Sequence, residues 1–290
     1  MARKLTIEAN ALRATFGLTL FLLASGGAAI TPAQTSRAAT SASYIERGRA
    51  WVDKGELSRA ISDLDLAVAS DPNSAAAYYS RGVIHSLNKN PEAALRDFDR
   101  AIRLDQRMAE AWVRRGEIRR ARGNLDGAIS DCTKALEINP GLADAWLGRG
   151  IARRELRDFD GAVADFDQAV RLNPKSAETR HHRAAALYLM GKLDEAIADL
   201  NAAIRLKPDL AMAYNDRGVA RHRLGDVDGA VADYDQALRL RPQLASAHLN
   251  RGVARREQGR LAEADQDFAE CIRLNPNLKP AVEQLLQARK

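Results

Sequence analysis

Arginine and aspartate recur through this chain at a fixed interval. Arg47, Arg81, Arg115, Arg149, Arg183, Arg217 and Arg251 stand 34 residues apart, and Asp63, Asp97, Asp131, Asp165, Asp199, Asp233 and Asp267 keep the same interval. A planar guanidinium can grip a carboxylate through two donors. If the chain turns back midway between each arginine and the next aspartate, the two face each other on opposite arms of a helical hairpin, and a ladder of ion pairs is expected. The competing chemistry, arginines that bind a partner's phosphates or carboxylates, fits less well, because a ligand-binding arginine does not need its own aspartate in every copy. The other reactive residue types are sparse. His181, His182 and His222 invite a metal reading, but neighbours on a helix point about 100° apart and no carboxylate or cysteine stands at ligand spacing. Cys132 and Cys271 are the two cysteines. They lie four repeats apart, beyond the ~7 Å between Cα atoms that a disulfide allows, so buried free thiols are expected. The chain has no glycine-rich phosphate loop, serine elbow or zinc-protease motif. No catalytic residue, cofactor or metal is expected.

The elements that must carry these columns follow from the same period. Glycine or alanine recurs at Gly48, Gly82, Gly116, Gly150, Ala184, Gly218 and Gly252, and a ring or its substitute stands one helical turn earlier at Tyr44, Tyr78, Trp112, Trp146, Arg180, Tyr214 and His248. A second helix shows alanine at Ala60 and its six equivalents, then a large apolar residue at Leu64, Phe98, Cys132, Phe166, Leu200, Tyr234 and Phe268. This spacing puts them on one helical face. Proline at Pro72, Pro140, Pro174, Pro208, Pro242 and Pro276 ends each second helix, with Gln106 as the exception. Seven repeats result, at 41–74, 75–108, 109–142, 143–176, 177–210, 211–244 and 245–278. Residues 279–290 are expected to form a capping helix with Val282, Leu285 and Leu286 inward.

This register of aromatic, glycine, alanine, aromatic, alanine and proline over residues 41–278 resembles the tetratricopeptide repeat. The resemblance implies an all-α fold, a right-handed superhelical α-solenoid of stacked antiparallel helix pairs. It also implies that the first helices build a concave wall that receives a partner's peptide or helix. Four arginines, Arg119, Arg153, Arg221 and Arg255, stand where the family usually has a tyrosine. Arg180, Ala184 and His248 also depart from the pattern, so the first helices of repeats five and seven are expected to open more easily. The family's clamp for a chaperone's terminal carboxylate needs lysine and asparagine on successive turns. Ile45 with Arg49, Tyr79 with Val83, Val113 with Glu117 and Leu147 with Ile151 occupy those places, so that clamp is absent.

On the expected wall, Ile45, Tyr79, Val113, Leu147 and Leu249 form an apolar row, joined by Val83, Ile151, Val219 and Val253. Arg120, Arg154, His222 and Arg256 line one edge with Arg223 alongside, and Glu110, Asp144 and Glu178 line the other. Tyr79, Val113, Arg120, Leu147, Arg154, His222 and Arg256 are the candidate partner-binding residues. A partner segment with apolar anchors and both charges would suit them.

Ahead of the repeats, Arg3, Lys4 and Arg13 precede an apolar run from Phe16 to Ala24 that is shorter than the ~20 residues of a spanning helix. Residues 1–33 are therefore expected to be a secretory signal peptide, cleaved after Ala29 or Ala33, and 34–40 a flexible lead-in. The expected location is periplasmic or secreted, with no membrane insertion after cleavage. Without residues 1–33, which hold three bases and Glu8, the formal charge falls from +6 to +4. A charge this mild, interleaved along the helices, does not suggest nucleic acid. The functional expectation is a non-catalytic scaffold for protein or peptide partners in the cell envelope. Self-association into a structural solenoid and an uncleaved, membrane-tethered adaptor are the alternatives.

Overall fold

A computed structural model describes residues 32–287, which contain helices and no strand. Each repeat is a pair, a first helix such as Ala143–Glu155 and a second such as Phe159–Leu172, and the pattern runs from Pro32–Asp53 to Leu261–Leu274. The first helix opens at Pro32, so residues 34–40 continue it rather than forming a flexible lead-in. No helix breaker interrupts their alanine, serine and threonine run, and proline is favoured in a first helical turn. The apolar run and the expected cleavage at Ala29 lie outside the described residues. The described residues form two compact bodies, one up to Pro140 with repeats one to three and one from Gly141 with repeats four to seven. Within each body, the second helix of a repeat packs on the first helix of the next.

The arginine–aspartate ladder is complete. In all seven repeats the arginine Nη2 donates to its aspartate Oδ1 at 2.5–2.7 Å, and Nε donates to Oδ2 at 2.6–2.9 Å. The aspartates are only 1–6 % exposed. The remaining nitrogen reaches back one repeat. Nη1 of Arg81, Arg115, Arg183 and Arg251 meets Asp65, Asp99, Asp167 and Asp235 at 2.6–2.8 Å, and Nη1 of Arg217 meets Asn201 Oδ1 at 2.6 Å. One guanidinium thus ties its own hairpin together and fastens it to the repeat before.

The departures from the family pattern serve the same aspartates. Arg119, Arg153, Arg221 and Arg255 each donate a second guanidinium bond to them at 2.8–2.9 Å. In the first repeat Trp51 Nε1 takes that place at 2.9 Å. Where a ring is present, it stacks on the ladder arginine, as Trp146 does on Arg149 at 4.7 Å. Where the ring is missing, the substitute contacts the aspartate itself, Arg180 at 3.6 Å from Asp199 and His248 at 3.2 Å from Asp267. Both also reach the carbonyl of the proline before their helix, Pro174 and Pro242. Repeats five and seven therefore keep their aspartate lock by other chemistry, although Arg180 Nε, His182 Nδ1 and Arg255 Nε on their first helices are buried without a hydrogen-bond partner.

The glycine column is explained by what faces it. A Cβ on Gly150 would lie 2.7 Å from the Phe166 ring, and on Gly82, Gly218 and Gly252 it would meet Phe98, Tyr234 and Phe268 as closely. Ala184 is tolerated because Leu200 replaces the ring opposite; both are buried. The closing helix is Lys279–Gln287, where Val282 is 1 % exposed and Leu286 packs beside it, but Leu285 is 38 % exposed and does not point inward. Both cysteines are buried free thiols, and burial pushes the Cys271 thiol up.

Two outcomes follow. Gly150→Ala should lower stability by about 1–3 kcal/mol through overpacking, whereas Gly48→Ala, whose Cβ would lie 3.2 Å from the flexible Leu64 side chain and at an ordinary 3.5 Å from the Ala60 carbonyl oxygen, should stay near neutral; thermal melts compare them. Burial would raise the Asp267 carboxyl, but Arg251, His248 and Arg255 outweigh it and hold the group below the usual carboxylate range. A lowered folded-state pKa gives stability that is complete above the unfolded value, near pH ~4, and is lost as pH falls through the folded one. Asp267→Asn should therefore cost about 3–5 kcal/mol at pH 7, and the gap from wild type should narrow below about pH 4 in denaturant titrations.

Candidate functional site

With the ladder arginines consumed internally, binding chemistry must come from another face of the first helices. Positions four and seven residues apart share a face of a helix. In the C-terminal body this stripe reads Leu147, Ile151, Arg154; His181, Ala185, Tyr188; Asn215, Val219, His222; and Leu249, Val253, Arg256. Its polar members are stitched from one repeat to the next. His181 Nε2 lies 2.6 Å from Asp216 Oδ2, Asn250 Nδ2 donates to Asn215 Oδ1 at 3.0 Å, and His222 Nε2 lies 2.7 Å from Glu257 Oε2. Leu147, Val219, Leu249 and Val253 remain half-buried between them. Asp144 and Glu178 are exposed nearby on the sequence.

Two cations of this body stand apart from the ion-pair network. Among the described residues neither Arg223 nor Arg256 has a carboxylate within salt-bridge distance, and Arg223 stacks over the Tyr188 ring at 5.2 Å. Arg154 is half-buried and already has an interaction within the protein, as does Arg120.

The N-terminal body presents a more closed wall. Val113 is 4 % exposed and Ile45 7 %, so both belong to the core. The expectation of Val113 as a contact residue does not match this placement, because neighbouring helices already cover its small side chain. Tyr79 is half-buried with its ring 5.9 Å from Phe98. Burial raises the Tyr79 phenol above its ordinary pKa, against the pull of Arg114 beside it, and Glu117 in turn holds Arg114 at 2.9 Å. Sequence reasoning missed Tyr188, Asp216 and Ala185. The signal was present for Ala185 and Tyr188, which stand in columns already read for other repeats, whereas Asp216 adjoins the stripe in a column without a repeated residue type.

Among the described residues no group of three His, Cys, Asp or Glu side chains is arranged to hold a metal ion, and no helix is long and apolar enough to cross a membrane. Family models described as tetratricopeptide repeat match residues 45–95, 88–143, 143–176 and 245–278, and one described as TPR repeat matches 186–225 and 220–259. The chain belongs to the tetratricopeptide repeat family. None of the curated proteins matches it. Among solved structures, this tetratricopeptide repeat protein is similar to one from Parabacteroides merdae (24 % identity, TM-score 0.65, covering 86 % of this chain and 98 % of that one). It is also similar to PilW, described as a widely conserved type IV pilus biogenesis factor (20 %, 0.66, 71 % and 96 %). A third is YrrB, described as a TPR protein with an unusual peptide-binding site (24 %, 0.53, 63 % and 95 %). At these identities the likeness is one of fold.

The stitching of the stripe gives its own check. His222→Ala should leave the helix content unchanged and cost about 0.2–1 kcal/mol, as for a partly exposed pair, while Asp233→Ala, which removes the carboxylate held by Arg217 and the nearer of two held by Arg221, should cost about 3–5 kcal/mol; urea titrations would separate the two.

Proposed function

We propose that this protein is a non-catalytic scaffold that holds a segment of a partner protein along the first-helix wall of repeats four to seven. The observation that carries this reading is the contrast between two sets of arginines. Every ladder arginine is spent on aspartates of the chain, while Arg223 and Arg256 stand beside the half-buried Leu147, Val219, Leu249 and Val253 without a carboxylate partner among the described residues. Apolar side chains supply area and free cations supply orientation, which is how a wall selects a segment with apolar anchors and acidic residues. Arginine and tyrosine dominate binding energy where they become desolvated, so Arg256, Arg223 and Tyr188 carry the largest share, with Leu147 and His222 in support. Arg154, on the first helix of repeat four, belongs to the same wall, while Tyr79 and Arg120 stand on the first helices of the N-terminal body. The basic and apolar start of the sequence supports an exported protein working in the cell envelope, and PilW offers a precedent for this fold in a pilus biogenesis factor.

A photoreactive amino acid placed at Leu249, on the wall, should cross-link a protein partner in cells, and the same group at Arg239, exposed on a second helix, should not. Adding Arg223→Glu and Arg256→Glu should remove the Leu249 adduct. Cross-linking of equal yield from both positions, unaffected by the charge reversals, would contradict this reading.

A further inference from the structure

Between the first helices Ala177–Leu189 and Ala211–Arg223 lies a hollow of about 220 Å³, lined by Ala184, Ala185, Tyr188, Leu200, Asp216 and Val219. Its origin is legible residue by residue. The stripe position filled by Val83, Ile151, Val219 and Val253 in four other repeats is alanine at Ala185, so two methyl groups are missing where they would close the wall. Ala184 behind it and Leu200 opposite are buried and small enough to leave the space open.

The chemistry of the rim is polarised. Asp216 is the one carboxylate of the lining, and its side chain keeps 33 % of its surface exposed while Oδ2 faces His181 and Oδ1 accepts from Asn215 Nδ2 at 2.9 Å. On the Tyr188 side, the Arg223 guanidinium lies over the ring. An apolar hollow with an anionic lip and a cationic lip complements an apolar group flanked by opposite charges. Size narrows the occupant further. Pockets for whole small-molecule ligands run about 300–1,000 Å³, so this volume suits a single large side chain.

We infer that this hollow is the anchor site of the scaffold, taking one leucine-, methionine- or phenylalanine-sized side chain of an extended partner segment. A basic residue of that segment meets Asp216, and an acidic one meets Arg223. The inference rests on the reading of the first-helix wall as a partner surface and adds the anchor and its flanking charges.

Random twelve-residue peptides displayed on phage and selected on the full chain would test it, with affinities of the selected peptides measured by fluorescence anisotropy. Selected peptides should share one bulky apolar residue flanked by a base and an acid. Ala185→Ile, a side chain that Ile151 carries at the equivalent position, should weaken them more than tenfold with an unchanged melting temperature. Asp216→Asn should weaken them several-fold and relax the preference for the basic residue. Peptides that bind Ala185→Ile as well as wild type but are lost on Arg223→Glu with Arg256→Glu would overturn the anchor and leave the wall reading standing. Peptides insensitive to all of these changes would overturn both. If Ala185→Ile melts early, Ala185→Val serves in its place with the same outcomes.

Discussion

A nearly buried carboxylate in every repeat is the constraint on which the remaining structure depends. Taking an aspartate out of water is expensive unless its charge is matched and its lone pairs are filled. The chain meets that demand with a guanidinium clamped through two nitrogens and, in most repeats, a further donor from the same hairpin. Because the third arginine nitrogen fastens to the preceding repeat, the same interaction that closes a hairpin also sets the register of the stack. A buried pair of this kind contributes little net free energy compared with an apolar one, but it penalises every misregistered packing that would leave a charge alone.

That constraint explains which parts of the molecule were legible in its sequence. The helix pairs and the intra-repeat ion pairs could be read because each column recurs seven times and each copy faces the same surroundings. The back-bond to the previous repeat was not read, since Asp65, Asp99, Asp167 and Asp235 share their column with other residue types and looked like ordinary surface acids. Arg180 and His248 were read as defects of packing. They are planar polar groups that replace a stacked ring with an approach to the aspartate itself, Arg180 as an ion pair at 3.6 Å and His248 at 3.2 Å, so the loss of one contact accompanies the gain of another. The cover of Val113 and the outward turn of Leu285 depend on how neighbouring helices lie against each position, which spacing alone does not specify.

The candidate wall was read as one continuous row, and the structure divides its character between the two bodies. In the N-terminal body the row sinks into the core at Ile45 and Val113 and is satisfied at Tyr79. In the C-terminal body Ile151 is buried, Leu147, Val219, Leu249 and Val253 stay half-buried beside cross-repeat polar pairs, and the alanine at Ala185 leaves a hollow. The ladder and the wall are thus complementary uses of the first helix, with one side committed to internal charge pairing and another to whatever the array holds.

The central claim, that the aspartate lock is equally strong where the family pattern fails, is tested most directly by hydrogen exchange of the native full-length protein followed by mass spectrometry. The first helices of repeats five and seven, 177–189 and 245–257, should exchange no faster than those of repeats four and six, which carry the usual ring and glycine. Exchange of those two helices ahead of their neighbours by an order of magnitude or more would show that Arg180 and His248 do not hold their aspartates as described, and would contradict the account.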